Sequence, residues 1–405
     1  MKCAALGSGS LLRSAPTILV SLVLSAVLLE LTLRVLAPFS RSVRLATWSP
    51  KDMDTFVSID AAEDIVRAVP TMFPGGSWFM GMRLTPKGFW TPPYTTEKRP
   101  GTFRMLILGD SFAYSSGGVP FERMWLTLVA AHLQRAWGKT VEPVNLGVPS
   151  AGPRLEERIY DVEGAALKPD LVILALFLGN DLTDESHPRT LLERSSLLVR
   201  LVENLGKFPD VLRVTFEGGR LPAYGLNPDW AVERYVYDPT VPTFPEEVFL
   251  DIEEERAEVF TTQQADWAHE RIRGVADVMA ELQTRVSAAG GAFAVVVIPD
   301  ELEVNAALRA TVVRHLDALG VGADLDIDGI HRFLASELSS RRVAFLDLLP
   351  TLRDAARERS PYRLHDTHWD DRGNRIAADA IVRWILQDNG KLGLASRLAT
   401  EANPE

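Results

Sequence analysis

Five short runs of mostly apolar residues dominate the chain: FRMLIL (103–108), VEPVNL (141–146), DLVILALFL (170–178), AFAVVVI (292–298) and VAFLDL (343–348). A strand with one wet face alternates apolar and polar residues, so near-continuous runs belong to a parallel sheet covered on both faces. Parallel neighbours need long crossovers, and helical stretches at 121–138, 153–168, 263–289, a broken region 301–340, and 371–387 provide them. The alternation predicts a doubly wound α/β sheet of about five strands.

The 405 residues are 46% apolar and 24% charged, enough for a sizeable core in one large or two ordinary domains. A net charge of −11 argues against a nucleic-acid partner, which would need clustered Lys and Arg. Cys3 is the one cysteine, so no internal disulfide and no cysteine-based metal site can form.

Ahead of the sheet pattern, residues 15–39 read APTILVSLVLSAVLLELTLRVLAPF, with Lys2 and Arg13 before them. This predicts an N-terminal transmembrane helix at 16–37, with residues 1–15 in the cytoplasm and the rest outside it. Glu30 and Arg34 stand four apart, so they can pair on one helix face. A cleaved signal is the alternative, but no good small-x-small site follows. Cys3 precedes the apolar run and cannot be a lipoprotein cysteine.

The expected organisation continues with an irregular juxtamembrane segment at 38–101, rich in Pro, Gly and Trp. The α/β domain then covers 102–390 with an insertion at 184–262, and 391–405 form a tail. Within the insertion, Leu198, Leu201, Val202 and Leu205 suggest a short amphipathic helix beside Arg194 and Arg200. It packs on the domain, or serves as a lid or membrane-surface helix. The acidic run EEVFLDIEEERAE (246–258) reads as a solvated helix face.

Four stretches carry the chemistry: GDSF (109–112), NLGVPSAG (145–152), FLGND (177–181) and HDTHWDDRGN (365–374). Three follow strands and one opens the last helix, so they can converge at the carboxyl ends of the sheet. A serine hydroxyl becomes a nucleophile when an imidazole takes its proton, and a carboxylate sets the imidazole tautomer. Ser111, His368 and Asp366 fit these three roles. The N–H groups of Ser111 and Gly147, with the Asn180 amide, can form an oxyanion hole. The plainer readings are a turn serine, a turn glycine and a loop-capping asparagine. Asp110 reads as structural, bonding its own loop.

These blocks resemble those of the SGNH hydrolases, the GDSL-like esterases. The family's Ser, Gly, Asn and His match Ser111, Gly147, Asn180 and His368, and the resemblance spans about 102–390. It implies a flavodoxin-like three-layer α/β/α fold and ester hydrolysis or acyl transfer without a metal or cofactor. Family members often place the aspartate three residues before the histidine; here that position is His365, and the carboxylate is Asp366. The D-x-H-W order of Asp366 to Trp369 is similar to that of membrane-associated proteins that acylate or deacylate exopolysaccharides. Ala113 follows GDSF, so there is no G-x-S-x-G elbow.

The implied partners are therefore an acylated carbohydrate and the membrane, with a short acyl group, acetyl, as the expected cargo. Trp78, Trp90, Trp230 and Trp369 are candidates to stack on sugar rings, Trp369 also beside His368. Transfer onto a polysaccharide, a lipase-like activity and a silent carbohydrate-binding role are the alternatives. Asp370 and Asp371 belong to the first turn of the last helix. Metal binding by His365 and His368 has no supporting HExxH spacing. His132, His187, His269, His315 and His331 lie in no motif. GVPSAG and SSGG lack the lysine and the glycine spacing of a phosphate loop.

Overall fold

All five expected strands form. In the computed structural model they are β1 (Thr102–Gly109), β2 (Thr140–Asn145), β3 (Leu171–Phe177), β4 (Ala292–Ile298) and β5 (Phe345–Asp347). The structure describes residues 9–36, 76, 78–114, 116–149, 151–184, 198, 201–202, 232–318, 324–387 and 392–394. The sheet runs β2-β1-β3-β4-β5 with every neighbouring pair parallel. Every residue of β1, β3 and β4 is buried, so both faces of the sheet centre are covered, as their unbroken apolar runs require. The order reverses between β1 and β3, which opens a crevice at their carboxyl ends.

Helices flank the sheet: α2 (Trp125–Trp137), α3 (Pro153–Ile159), α4 (Glu246–Ala257), α5 (Ala265–Ala288), α6 (Ala306–Ala318), α7 (Ile327–Ser340), α8 (Leu349–Ala356) and α9 (Asp371–Leu386). The stretch read as one helix at 153–168 changes character after α3, through a π turn at Tyr160–Gly164 and a 3-10 turn at Ala165–Leu167. The broken region 301–340 resolves into a short turn at Glu301–Val304, then α6 and α7.

The chain divides into two compact units, Met1–Thr55 with Pro188–Pro222, and Phe56–His187 with Ala223–Glu405. In the smaller unit, α1 spans Gly9–Leu36. Its side chains are described from Val20 onward, and Leu22, Leu24, Leu28 and Val35 among them are exposed. Glu30 and Arg34 pair at 2.7 Å, and the Leu198 N–H donates to the other Glu30 oxygen at 2.8 Å. Among the described residues, no helix is long and apolar enough to cross a membrane. Leu198, Leu201 and Val202 are helical, whereas Arg194, Arg200, Leu205, Trp230, Cys3 and His187 lie outside the described residues.

Of the two readings of the irregular stretch, packed against the domain or leading away from the membrane, the first describes it from 78 onward: it is part of the larger unit, and Phe79, Phe89 and Trp90 are buried. Arg104, fully buried in β1, donates to the carbonyls of Thr95, Thr96 and Leu167 and pairs with Glu142 at 2.6 Å. Those bonds tie the stretch to the sheet. The acidic run is solvated on one side, where Glu246, Glu247, Asp251 and Glu255 are exposed, but not on the other. Phe249, Glu253 and Ala257 form a buried stripe along α4 at fourfold spacing. Burial, and then the neighbouring Asp300 charge, hold the Glu253 carboxyl well above the usual carboxylate range. Arg256 supplies the compensating cation, 3.1 Å from Asp300 and 3.7 Å from Glu253.

A second buried cluster centres on His331, between Glu303 at 2.5 Å and Asp347 at 2.8 Å. Burial alone would lower its pKa, but the two carboxylates outweigh burial and lift it to about 10. The folded chain therefore keeps a proton that the unfolded chain releases near pH ~6.5. This stabilisation is complete below that pH and is lost as pH rises towards 10. Urea-unfolding midpoints should fall across that window, by at most about 1.4 kcal/mol per pH unit. His331→Gln should flatten the fall and cost most at its acid end. A variant whose pH dependence runs parallel to the parent's would remove His331 as its source.

Candidate active site

The site begins where β1 must stop. Gly109 has φ of 149°, and a Cβ there would stand 2.9 Å from the Ala175 Cβ on β3. Only glycine lets the two strands approach this closely while the chain turns. Asp110 follows, fully buried, and accepts the Phe112 N–H at 2.9 Å. Burial pushes its carboxyl up, against the pull of the Phe112 N–H, the His368 charge and a hydrogen bond with Asn180. Asp110 thus holds the turn, as expected of it, and Ser111 opens a four-residue helix, Ser111–Tyr114.

Ser111 Oγ lies 2.6 Å from His368 Nε2, and His368 Nδ1 lies 2.7 Å from Asp366 Oδ1. The same Oδ1 accepts the His368 backbone N–H at 3.0 Å. Asp366 is 1% exposed and His368 12%, so the carboxylate is sealed while the imidazole reaches the surface. Burial pushes the Asp366 carboxyl up. The His368 charge and the hydrogen bonds from His368 and Thr243 outweigh it, and the group is held below its ordinary value. The Thr243 hydroxyl donates to Oδ2.

The other carboxylates and the second histidine lie elsewhere. Asp370 caps α9, accepting the Gly373 N–H at 2.7 Å, and Asp371 pairs with Arg375 at 3.1 Å. His365 adopts φ of 46° and stacks on Phe249 at 5.7 Å. It lines a cavity of about 430 Å3 with Phe249, Leu250, Glu301, Ser360 and Tyr362; neither Ser111 nor His368 does so. Burial lifts the Glu301 carboxyl to about 7. Among the described residues, no three His, Cys, Asp or Glu side chains gather as metal ligands.

Gly147 stands under the Ser111 turn, but its N–H is engaged. It donates to Asn145 Oδ1 at 3.0 Å, which leaves that donor unavailable for an oxyanion in this conformation. Its lack of a side chain has a packing cause instead: a Cβ would meet the Ala113 Cβ at 2.5 Å. Asn145, at the end of β2, carries the positional work. Its Nδ2 donates to the Ala113 carbonyl at 2.7 Å and the Trp90 carbonyl at 3.1 Å. The Asn180 side chain bonds the Asp110 carboxylate, and Asp181 Oδ2 accepts the Phe177 N–H at 2.7 Å.

Two of the tryptophans offered for sugar stacking are excluded, since Trp90 and Trp369 have no exposed surface. Trp369 packs edge-on against Phe112 at 5.0 Å, and Phe112 lies 4.9 Å from the His368 ring. Trp78 is half-buried with the Arg83 guanidinium over its ring. Sequence reasoning missed Asn145, Asp181 and Thr243. The first two sit inside quoted blocks and could have been found as polar residues closing apolar strands. Thr243 lies in the insertion, 123 residues from Asp366, with no motif around it.

Residues 255–404 match the model of a family described as the SGNH hydrolase-like domain of acetyltransferase AlgX. The match includes Asp366 and His368 but not Ser111, Gly147 or Asn180. No curated protein matches the chain. Among solved structures, the chain is similar to Axe2, an acetylxylan esterase from Geobacillus stearothermophilus, at 15% identity and a TM-score of 0.34, covering 70% of this chain and 94% of that one. A member of the lipolytic G-D-S-L family from Veillonella parvula matches at 12% identity and a TM-score of 0.36, covering 70% and 99%. LAE5, an α/β hydrolase enzyme from the metagenome of Lake Arreo, Spain, matches at 15% and 0.35, covering 69% and 94%. At such scores the structural likenesses carry no argument. The family model carries one for residues 255–404, which are similar to an SGNH hydrolase-like domain, and the four sequence blocks resemble those of that family.

Proposed function

We propose that the chain is a serine acyl-transfer enzyme that removes a short acyl group, acetyl, from an ester on a cell-surface carbohydrate. The observation that carries this reading is the continuous line from Ser111 Oγ through the His368 ring to Asp366. Ser111 Oγ attacks the acyl carbonyl carbon while His368 Nε2 takes the hydroxyl proton. The tetrahedral oxyanion is met by the Ser111 N–H and the Asn180 amide, which Asp110 orients. Collapse breaks the ester bond, and His368 returns the proton to the leaving alcohol oxygen. Water, activated by the same imidazole, then attacks the acyl-Ser111 ester and releases the acid. Asp366 stays ionised throughout and balances the imidazolium.

The second reading is transfer to a sugar hydroxyl in place of water. The family model favours it, because its description names an acetyltransferase. The two readings share the acyl-enzyme and differ only in the acceptor. The acetyl cargo and the carbohydrate rest on the D-x-H-W resemblance and that description. The domain is further proposed to work outside the cytoplasm, held by α1. The exposed valines and leucines of α1 support a membrane contact, since water penalises each of them, and the side rests on Lys2 and Arg13 ahead of the apolar run.

Three outcomes test these proposals. Ser111→Ala should lower aryl acetate turnover by several orders of magnitude while its circular dichroism stays unchanged. Intact-protein mass analysis should show a transient added acetyl on the parent and none on the variant. Near-normal turnover by Ser111→Ala would end the mechanism. Across nitrophenyl esters, kcat/KM should fall steeply beyond butyryl. A rise to octanoyl, each buried methylene gaining about 0.8 kcal/mol, would indicate a lipase-like pocket instead. A C-terminal tag should be digested by protease added to intact spheroplasts; full protection would place the domain in the cytoplasm.

A further inference from the structure

The Asp366–His368 spacing leaves one carboxylate oxygen without a local task. With only Thr367 between aspartate and histidine, Oδ1 serves both the His368 backbone N–H and Nδ1. Oδ2 points away into protein, on a side chain that is 1% exposed. A buried carboxylate oxygen without a donor is costly, because it has given up its hydrogen bonds to water. Its donor comes from a distant part of the chain, the Thr243 hydroxyl.

The segment that delivers Thr243 is fastened on both sides of the site. The N–H groups of Thr243 and Phe244 donate to the carbonyls of Leu364 and His365, at 3.3 and 3.2 Å. Arg363 donates to the Val241 carbonyl at 3.2 Å and to the Gly117 carbonyl at 2.6 Å, beyond the Ser111 helix. Tyr235 Oη donates to the Gly118 carbonyl at 2.7 Å. Residues 235–244 therefore form a strap that touches the loop after the nucleophile and the loop bearing the base. Thr243 is the point of the strap that meets the triad carboxylate.

We infer that Thr243 is a positioning residue for the proposed acyl transfer, its hydroxyl fixing the rotation of the Asp366 carboxylate against His368. The inference rests on the function proposed above. With the donor removed, the carboxylate can rotate and lose its alignment with Nδ1, so the imidazole is held less well for proton transfer. The cost falls on the chemical step and not on substrate affinity, because Thr243 touches neither Ser111 nor the acyl group in the mechanism. The Thr243 hydrogen bond helps hold the Asp366 carboxyl down, so an anion deprived of it takes up its proton at higher pH. The acid limb of activity then moves to higher pH. The other titratable and charged groups facing Asp366 are Glu301, Tyr235 and, through Tyr235, Arg363.

The test compares Thr243→Val, Thr243→Ser and Ser111→Ala in the full chain, with an aryl acetate as substrate. Thr243→Val, which keeps the shape and loses the hydroxyl, should lower kcat by roughly ten- to a hundredfold with little change in KM. Its acid limb should shift upward, and Thr243→Ser should restore both kcat and the profile. A Thr243→Val enzyme with parental kcat and pH profile, beside an inactive Ser111→Ala, would overturn this inference alone. An active Ser111→Ala would overturn the reading of the site itself. Should Thr243→Val not fold, Thr243→Ala makes the same comparison without added bulk. Misfolding of both, with Thr243→Ser intact, would assign the hydroxyl to stability and overturn the positioning role.

Discussion

Everything in the site depends on how closely backbone can approach backbone at the carboxyl end of β1. The turn that presents Ser111 is wedged between β3, which meets Gly109 at Ala175, and the loop after β2, which meets Ala113 at Gly147. Neither contact tolerates a methyl group, since added Cβ atoms would stand at 2.9 and 2.5 Å from those side chains. A nucleophile must keep its oxygen within hydrogen-bond range of its base, a tolerance of a few tenths of an ångström. Two glycines and two alanines provide that precision by leaving no slack. The polar atoms of Asn145 then lock the same turn from beneath.

Electrostatics take up where packing ends. The domain contains buried carboxylates with opposite fates. Asp366 gathers hydrogen bonds and a cationic neighbour, and is held ionised despite its burial. Glu253, equally buried, faces another carboxylate and is driven towards its neutral form, although Arg256 lies nearby. Number and direction of donors separate them, not depth. An ion whose lone pairs are all met stays an ion.

Much of this was legible in the sequence. The three central strands are buried on both faces and all five read as mostly apolar runs, so their number and order in the chain followed from the sequence pattern. Ser111, His368 and Asp366 come together because each closes a strand or precedes the last helix, positions that topology fixes. Gly147 was named for its N–H, and the sequence did not disclose that this position also packs against Ala113 and bonds Asn145. Trp90 and Trp369 were read as available surface, because a tryptophan gives no sign in sequence of which way it faces. Glu253 was misread for the related reason that an acidic run hides its own 3.6-residue periodicity. Thr243 was invisible, since a partner 123 residues away leaves no local pattern.

That long reach has a consequence for how the molecule comes into being. Ser111 and His368 are 257 residues apart in the chain, and the strands between them pair only in parallel. Parallel pairing offers no hairpin from which to zip, so each crossover must close a long loop before any contact repays its entropy. The nucleophile emerges first in synthesis, and its base follows 257 residues later, carried on the loop before α9. The hydrogen bond between them is thus among the most demanding contacts the nascent chain has to make. Catalytic competence and complete folding become one event, and no partly formed intermediate can attack an ester before the last helix has docked.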